Sequence, residues 1–222
     1  MLDLEHLEKA QRLSLTMQVE MSLKSALIVG ALKPGARLIT KEIANKLGTS
    51  ITPVREALLR LVSAGALHAT PAQAFLVPEI SLERYHEVTL LRKRLETMAV
   101  AVACQHMSPG RLEELHKLAD RFHEAMREGD VPRALHANRQ FRFTLYGYAQ
   151  MPTLLALIEQ LWVRIGPCFN CLYELIDNIP DGSYHYEALL VALAKRDATA
   201  SEKEIDKLID EATSLILSRY RE

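Results

Sequence analysis

Two apolar-faced segments, Thr40 to Leu47 and about Thr52 to Gly65, are separated only by Gly48, Thr49, Ser50 and Ile51. A glycine that stops one short helix and a second helix that starts four residues later predict a tight helix-turn-helix. Pro53 suits the first turn of the second helix, where its missing N–H costs nothing, and Ser50 or Thr52 is placed to cap it. Ahead of the pair, Leu15, Val19, Leu23, Ala26, Leu27 and Gly30 recur at helical spacing, and Leu32-Lys-Pro-Gly35 is a turn. Behind it, Ala66 to Val77 lacks helical periodicity and carries Leu67, Ala69, Phe75 and Val77, the pattern of a short two-stranded hairpin. The order of helix, short helix, turn, helix and hairpin makes a winged helix-turn-helix.

Beyond Pro78 the periodicity is helical almost throughout: Leu82 to Met107, Arg111 to Gly129, Pro132 to Ala149, Pro152 to Asp177, Ser183 to Lys195 and Ala198 to Tyr220. The breaks fall at Ser108-Pro109-Gly110, Gly129-Asp130, Met151-Pro152, Pro180-Asp181-Gly182 and Arg196-Asp197. The expected fold is mainly α: an N-terminal winged helix-turn-helix and a C-terminal antiparallel bundle of about six helices. Residues 1–14 are read as an N-terminal extension, 15–78 as the winged helix-turn-helix domain and 79–222 as an all-helical domain.

Charge divides at the same place. Residues 15–78 hold seven Lys or Arg against three Glu, whereas 79–222 hold 18 basic residues against 22 acidic ones. A basic head on an acidic body predicts that only the head approaches a polyanion. Hydrophobic residues at 49% and charged residues at 25% match a globular chain. No apolar run is long enough for a membrane span and no signal-like segment follows Met1, so a cytoplasmic location is expected. Three cysteines, Cys104, Cys168 and Cys171, do not make a disulfide framework.

The second helix of the pair carries Thr52 and Arg55 one turn apart on one face, while Val54, Ala57, Leu58 and Leu61 form the docking face. Such a helix can place its N-terminal residues in the major groove, where Arg pairs with guanine or phosphate. An ordinary amphipathic helix with a solvated Arg shows the same spacing.

The run Gly30-Ala-Leu-Lys-Pro-Gly35-Ala-Arg-Leu38, Glu42-Ile-Ala44, Leu47-Gly48, Thr52-Pro-Val-Arg-Glu-Ala-Leu58, Leu61 and Gly65 resembles the head domain of the GntR family of bacterial transcription regulators. The resemblance implies DNA contacts from Lys41, Ser50, Thr52 and Arg55. Two departures bear on sequence choice: Ile51 stands where the family carries a basic residue, and the wing tip reads Pro71-Ala-Gln-Ala74 where a glycine is usual.

Leu91-Arg-Lys-Arg-Leu-Glu96 and the late Ala194-Lys-Arg-Asp197 are similar to the ligand-binding (FCD) domain of the FadR-like branch. Members with the smaller bundle often hold a divalent metal between an Asp and a His on the third helix, a His opening the fifth and a His on the last. Here those positions hold Asn138, Arg142, His185 and Leu208. A guanidinium has no lone pair to give a cation, so neither metal nor other cofactor is expected. An Arg turned into an apolar cavity instead needs an anion. The expected effector site is Arg92, Asn138, Arg142 and His185, holding a small organic acid, with an internal Glu or Asp as the alternative partner of Arg142.

Other candidate clusters have plainer readings. Asp120-Arg-Phe-His123 lies one helix too early for the metal pair and reads as a solvated face; Cys168-Phe-Asn-Cys171 reads as core packing; Trp162, Tyr173, Tyr184 and Tyr186 read as core before pocket. His136 points to a different face from Asn138. No phosphate loop, nucleophile elbow or H-E-x-x-H pair supports an enzyme, and no catalytic residue is assigned. The resulting expectation is a homodimeric transcription regulator or repressor that binds double-stranded operator DNA and is controlled by a small anionic effector. A metal-dependent sensor of the same family and a ligand-binding module with a weakened head are the alternatives.

Overall fold

The computed structural model describes residues 14–70, 74–171 and 185–218. Helix α1 (Leu15–Ile28) begins where the Ser14 hydroxyl accepts the Met17 N–H, and it buries Val19, Leu23, Leu27 and Ile28. Leu15, expected on that face, is exposed. Helix α2 (Thr40–Leu47) ends at Gly48, whose φ of +63° is the left-handed cap that glycine adopts without strain. Helix α3 (Ile51–Ser63) starts at Ile51, and the Ser50 side chain makes no capping bond. Pro53 falls within the first turn, where no intrahelical partner awaits its N–H. Val54, Ala57, Leu58 and Leu61 are fully buried, and α3 packs on both α1 and α2.

Among the described residues, a third strand joins the expected hairpin. Strands β1 (Arg37–Leu38), β2 (His68–Ala69) and β3 (Phe75–Leu76) form an antiparallel sheet in the order β1-β3-β2, with Arg37 opposite Leu76 and Leu38 opposite Phe75. A two-residue strand has no periodicity to announce it, so β1 was invisible to sequence patterning. The departure at Pro71, Ala72 and Gln73 lies outside the described residues.

Among the described residues the bundle contains the helices α4 (Leu82–Gln105), α5 (Pro109–Arg127), α6 (Val131–Gly147), α7 (Pro152–Ile165), α8 (Glu187–Ala194) and α9 (Ala198–Ser218). Ser81, Ser108 and Asp130 cap their helices by accepting the N–H groups of Arg84, Arg111 and Arg133, and Asp197 accepts that of Ala200. Helix α4 packs against α9, α7 and α6, while α5 packs against α6 and α8.

The helix expected from Pro152 to Asp177 stops at Ile165 and continues as a 3₁₀ segment, Gly166–Cys171. Pro167 supplies the reason, since it has no N–H to donate and its ring obstructs the preceding turn. The expected break at Pro180-Asp181-Gly182, together with Tyr173 and Tyr184, lies outside the described residues.

The break also seats the head on the bundle. A Cβ on Gly166 would stand 2.2 Å from the Leu27 carbonyl oxygen and 2.6 Å from the Ile28 Cα. Across the contact, Gly30 has a φ of +67°, and a Cβ there would stand 2.6 Å from the Asn170 nitrogen. Asn170 Nδ2 donates to the Gly30 carbonyl at 2.8 Å, Arg164 Nε donates to the Ala64 carbonyl at 3.1 Å, and Lys24 pairs with Glu159 at 3.3 Å. Gly166→Ala therefore forces two backbones apart. The expected cost is about 1–3 kcal/mol, or roughly 2–4 °C in melting temperature per kcal/mol for a chain of this size, measured by thermal unfolding.

Candidate functional site

The first candidate site is the outer surface of the head. Lys41, Ser50, Thr52 and Arg55 are all exposed around the starts of α2 and α3. Arg37, Thr40, Lys41, Ile51, Arg55 and Ala74 line one surface hollow, which joins the helix pair to the wing. Sequence reasoning missed Arg37 as a candidate contact because its strand was not foreseen. Ile51 is 51% exposed, an apolar side chain set among cations at the leading end of α3. It offers no charge to a phosphate, but its surface suits the methyl group of thymine.

The second candidate site is a cavity of about 50 Å³ in the bundle. Its wall is apolar, with Phe122, Met126, Leu135, Phe169 and Ile209, and polar only where Arg92, Asn138 and Arg142 enter. The expected trio is thus brought together by α4 and α6. Arg92 and Arg142 are both buried, and the group that makes this tolerable is Glu96, with no exposed surface at all. Glu96 Oε1 accepts from Arg92 Nε at 2.6 Å and from Trp162 Nε1 at 2.8 Å. Its Oε2 accepts from the Tyr146 hydroxyl and lies 3.7 Å from Arg142.

Two guanidinium groups share one carboxylate, which leaves a formal excess of one positive charge. Arg142 donates to the Tyr146 hydroxyl at 3.3 Å, yet its Nε is buried without a hydrogen-bond partner. Burial alone would lower the Arg142 pKa, but Tyr146, Tyr186 and Glu96 reverse that and hold it above its ordinary value. Burial, followed by Glu96, pushes the Tyr146 hydroxyl up as well, so it remains a donor. Asn138 accepts at its carbonyl oxygen from the Tyr186 hydroxyl, so the group it can offer a ligand is its amide donor. Among the described residues, the cavity presents N–H donors and one net positive charge inside an apolar shell.

Glu96 was within the motif noted in the sequence but not assigned a role. The signal was its i,i+4 spacing from Arg92. Trp162, read first as core, is buried and also lines the cavity, its ring centroid 4.5 Å from the Arg92 guanidinium carbon.

His185 departs from the expectation. It is half exposed beside His123 and Glu187 and does not line the cavity, because the neighbouring Tyr186 takes the inward position, stacked on Phe141. His123, expected on a solvated face, is only 20% exposed and packs beside Phe122. His136 is exposed, away from the cavity. The positions that the family resemblance marks for metal ligands do not suit a cation here: Arg142 is a paired guanidinium and Leu208 is buried hydrocarbon. Cys168 and Cys171 lie on the 3₁₀ segment, the first buried and the second half-buried.

Removing the shared carboxylate leaves two buried cations facing each other. Glu96→Gln is expected to lower stability by about 3–5 kcal/mol, the cost of breaking a buried ion pair from one side, read as a shift in the denaturant midpoint.

Among the described residues, no helix is long and apolar enough to cross a membrane. Residues 15–77 match the model for bacterial regulatory proteins of the gntR family, and residues 87–211 match the FCD domain. The HTH-type transcriptional regulator McbR of Escherichia coli K12 is 44% identical over 214 residues, covering 96% of this chain and 97% of that one. The Nta operon transcriptional regulator of Aminobacter aminovorans is 32% identical over 135 residues, 60% of this chain and 63% of that one. The solved structure of E. coli McbR/YncC superposes with a TM-score of 0.86 at 43% identity, covering 94% of this chain and 100% of that one. A putative GntR regulator from Rhodococcus sp. RHA1 shares the fold, with a TM-score of 0.73 at 22% identity and coverage of 91% and 97%. Regulators rather than enzymes surround this sequence, and the chain belongs to the GntR family of bacterial transcription regulators, in its FadR-like branch with an FCD domain.

Proposed function

We propose that this regulator binds operator DNA as a homodimer through Lys41, Ser50, Thr52 and Arg55, and that a small organic monoacid in the bundle cavity alters its operator affinity. The observation that carries the effector reading is Arg142: a buried cation whose Nε has no partner, lining a mostly apolar cavity with Arg92 and Asn138. A ligand carboxylate supplies the missing acceptor. The excess of one positive charge favours a single carboxylate over two, and the size of the cavity favours a short acid with an apolar body. Asn138 and Arg92 complete the head-group contacts, while His185 stands outside them.

The path to DNA runs through α7. Trp162 lines the cavity from this helix, and two residues on, Arg164 Nε donates to Ala64 O at the C-cap of α3. Phe169 lines the cavity from the 3₁₀ segment that carries Gly166 against the end of α1. An acid that repositions Trp162 or Phe169 thereby acts on the helices that hold the head. Coupling requires different acid affinities in the two arrangements of the heads.

Trp162 is the chain's single tryptophan, so intrinsic fluorescence reports directly on the cavity. Titration with monocarboxylates from propionate to hexanoate is expected to change that fluorescence saturably. The matching neutral amides leave it unchanged, and Arg142→Gln abolishes the response. An equal response to the amides would overturn the anion reading.

On DNA selected by the wild-type protein from a random pool, Arg55→Ala is expected to cost about 1–3 kcal/mol and relax preference at one base position. Ile51→Arg is expected to steepen the salt dependence of binding by roughly one counterion. Fluorescence anisotropy at several salt concentrations measures both.

A further inference from the structure

We infer that His123, His185 and Glu187 form a binding site for a divalent transition metal on the outer surface of the bundle, separate from the effector cavity. His123 comes from α5, whereas His185 and Glu187 flank the start of α8. His123 Nδ1 lies 3.6 Å from one Glu187 carboxylate oxygen, and His185 Nδ1 lies 3.6 Å from the other. One ligand atom from each residue falls within 4.8 Å of the other two, and the imidazole rings are 5.3 Å apart. Hydrogen bonds between these groups would close to about 2.7–3.2 Å. A spacing of 3.6 Å is instead close to the ligand–ligand edge, roughly 3.3 Å, of a tetrahedral ion with bonds of about 2.0–2.1 Å.

The surroundings agree with that donor set. His123 Nε2 is buried with no partner, and the ring sits beside Phe122 and Tyr186, so Nδ1 is the nitrogen that faces the other two side chains. His185 and Glu187 are each more than half exposed, which leaves a fourth position open to water or a ligand. Glu204 and Glu211 border the adjoining hollow and favour a cation, while Lys207 opposes it. Two imidazoles and one carboxylate suit zinc, cobalt or nickel rather than calcium or magnesium, which take oxygen ligands.

The site also bears on the cavity. Tyr186 lies between two of its ligands in sequence, stacks on Phe141 at 3.7 Å and donates to Asn138. An ion tying α5 to the start of α8 fixes the residue that orients Asn138.

The test is titration of untagged full-length protein with cobalt(II), followed by visible absorption, with zinc added as competitor. The expected result is one ion per chain, displaced by zinc, with affinity weakened roughly tenfold or more by each of His123→Gln, His185→Asn and Glu187→Gln, and unchanged by Cys168→Ser or Cys171→Ser. His185 and Glu187 are exposed enough that their variants remain folded, as circular dichroism verifies, so the test stands even if the His123 variant does not fold. Absence of stoichiometric binding, or binding that His185→Asn and Glu187→Gln leave unchanged, overturns the inference.

Discussion

The bundle is organised around one carboxylate that has no exposed surface. Glu96 accepts from Arg92 one turn away on α4, from Tyr146 on α6 and from Trp162 on α7, and it faces Arg142. Three helices are therefore fixed to one another by a single acceptor, and each donor is buried enough that losing it leaves a charge or hydroxyl unsatisfied. Buried ion pairs are weak sources of net stability because desolvation offsets the attraction. Their effect here is geometric: they hold two guanidinium groups at the edge of an apolar cavity that hydrophobic packing alone would close.

The same helices connect that cavity to the head. Trp162 and Arg164 belong to one short stretch of α7, the first lining the cavity and the second bonded to the end of α3. Gly166 and Gly30 let two backbones approach more closely than any side chain would permit. Sub-ångström changes at such a contact are not absorbed by compressible packing, since protein interiors are close-packed. A cavity wall and a head support are thus built from the same segment of chain.

Much of this was legible in the sequence, for physical reasons that differ by element. The helices of the bundle announced themselves through length, 3.6-residue periodicity and breaks such as Ser108-Pro109-Gly110 and Gly129-Asp130, and the apolar face of α3 was correct residue by residue. The gathering of Arg92, Asn138 and Arg142 followed from helical register plus the family resemblance. What escaped were features without local signal. Strand β1 is two residues long, and the inward turn of Tyr186 that leaves His185 outside depends on its stacking against Phe141 from another helix, whereas Glu96 carried a local signal, its i,i+4 spacing from Arg92, that does not tell a buried pair from a surface one. The 3₁₀ segment was signalled by Pro167, but helical periodicity on its N-terminal side outweighed that signal.

An acid held on Arg142 is proposed to change the seat between α7 and α1, and hydrogen–deuterium exchange across residues 24–30, with and without an acid that alters Trp162 fluorescence, reads that seat. Amide protection at Leu27 to Gly30 is expected to change on acid binding, and Arg142→Gln to remove the change. Protection at α1 that stays constant while the cavity fills would rule the coupling out.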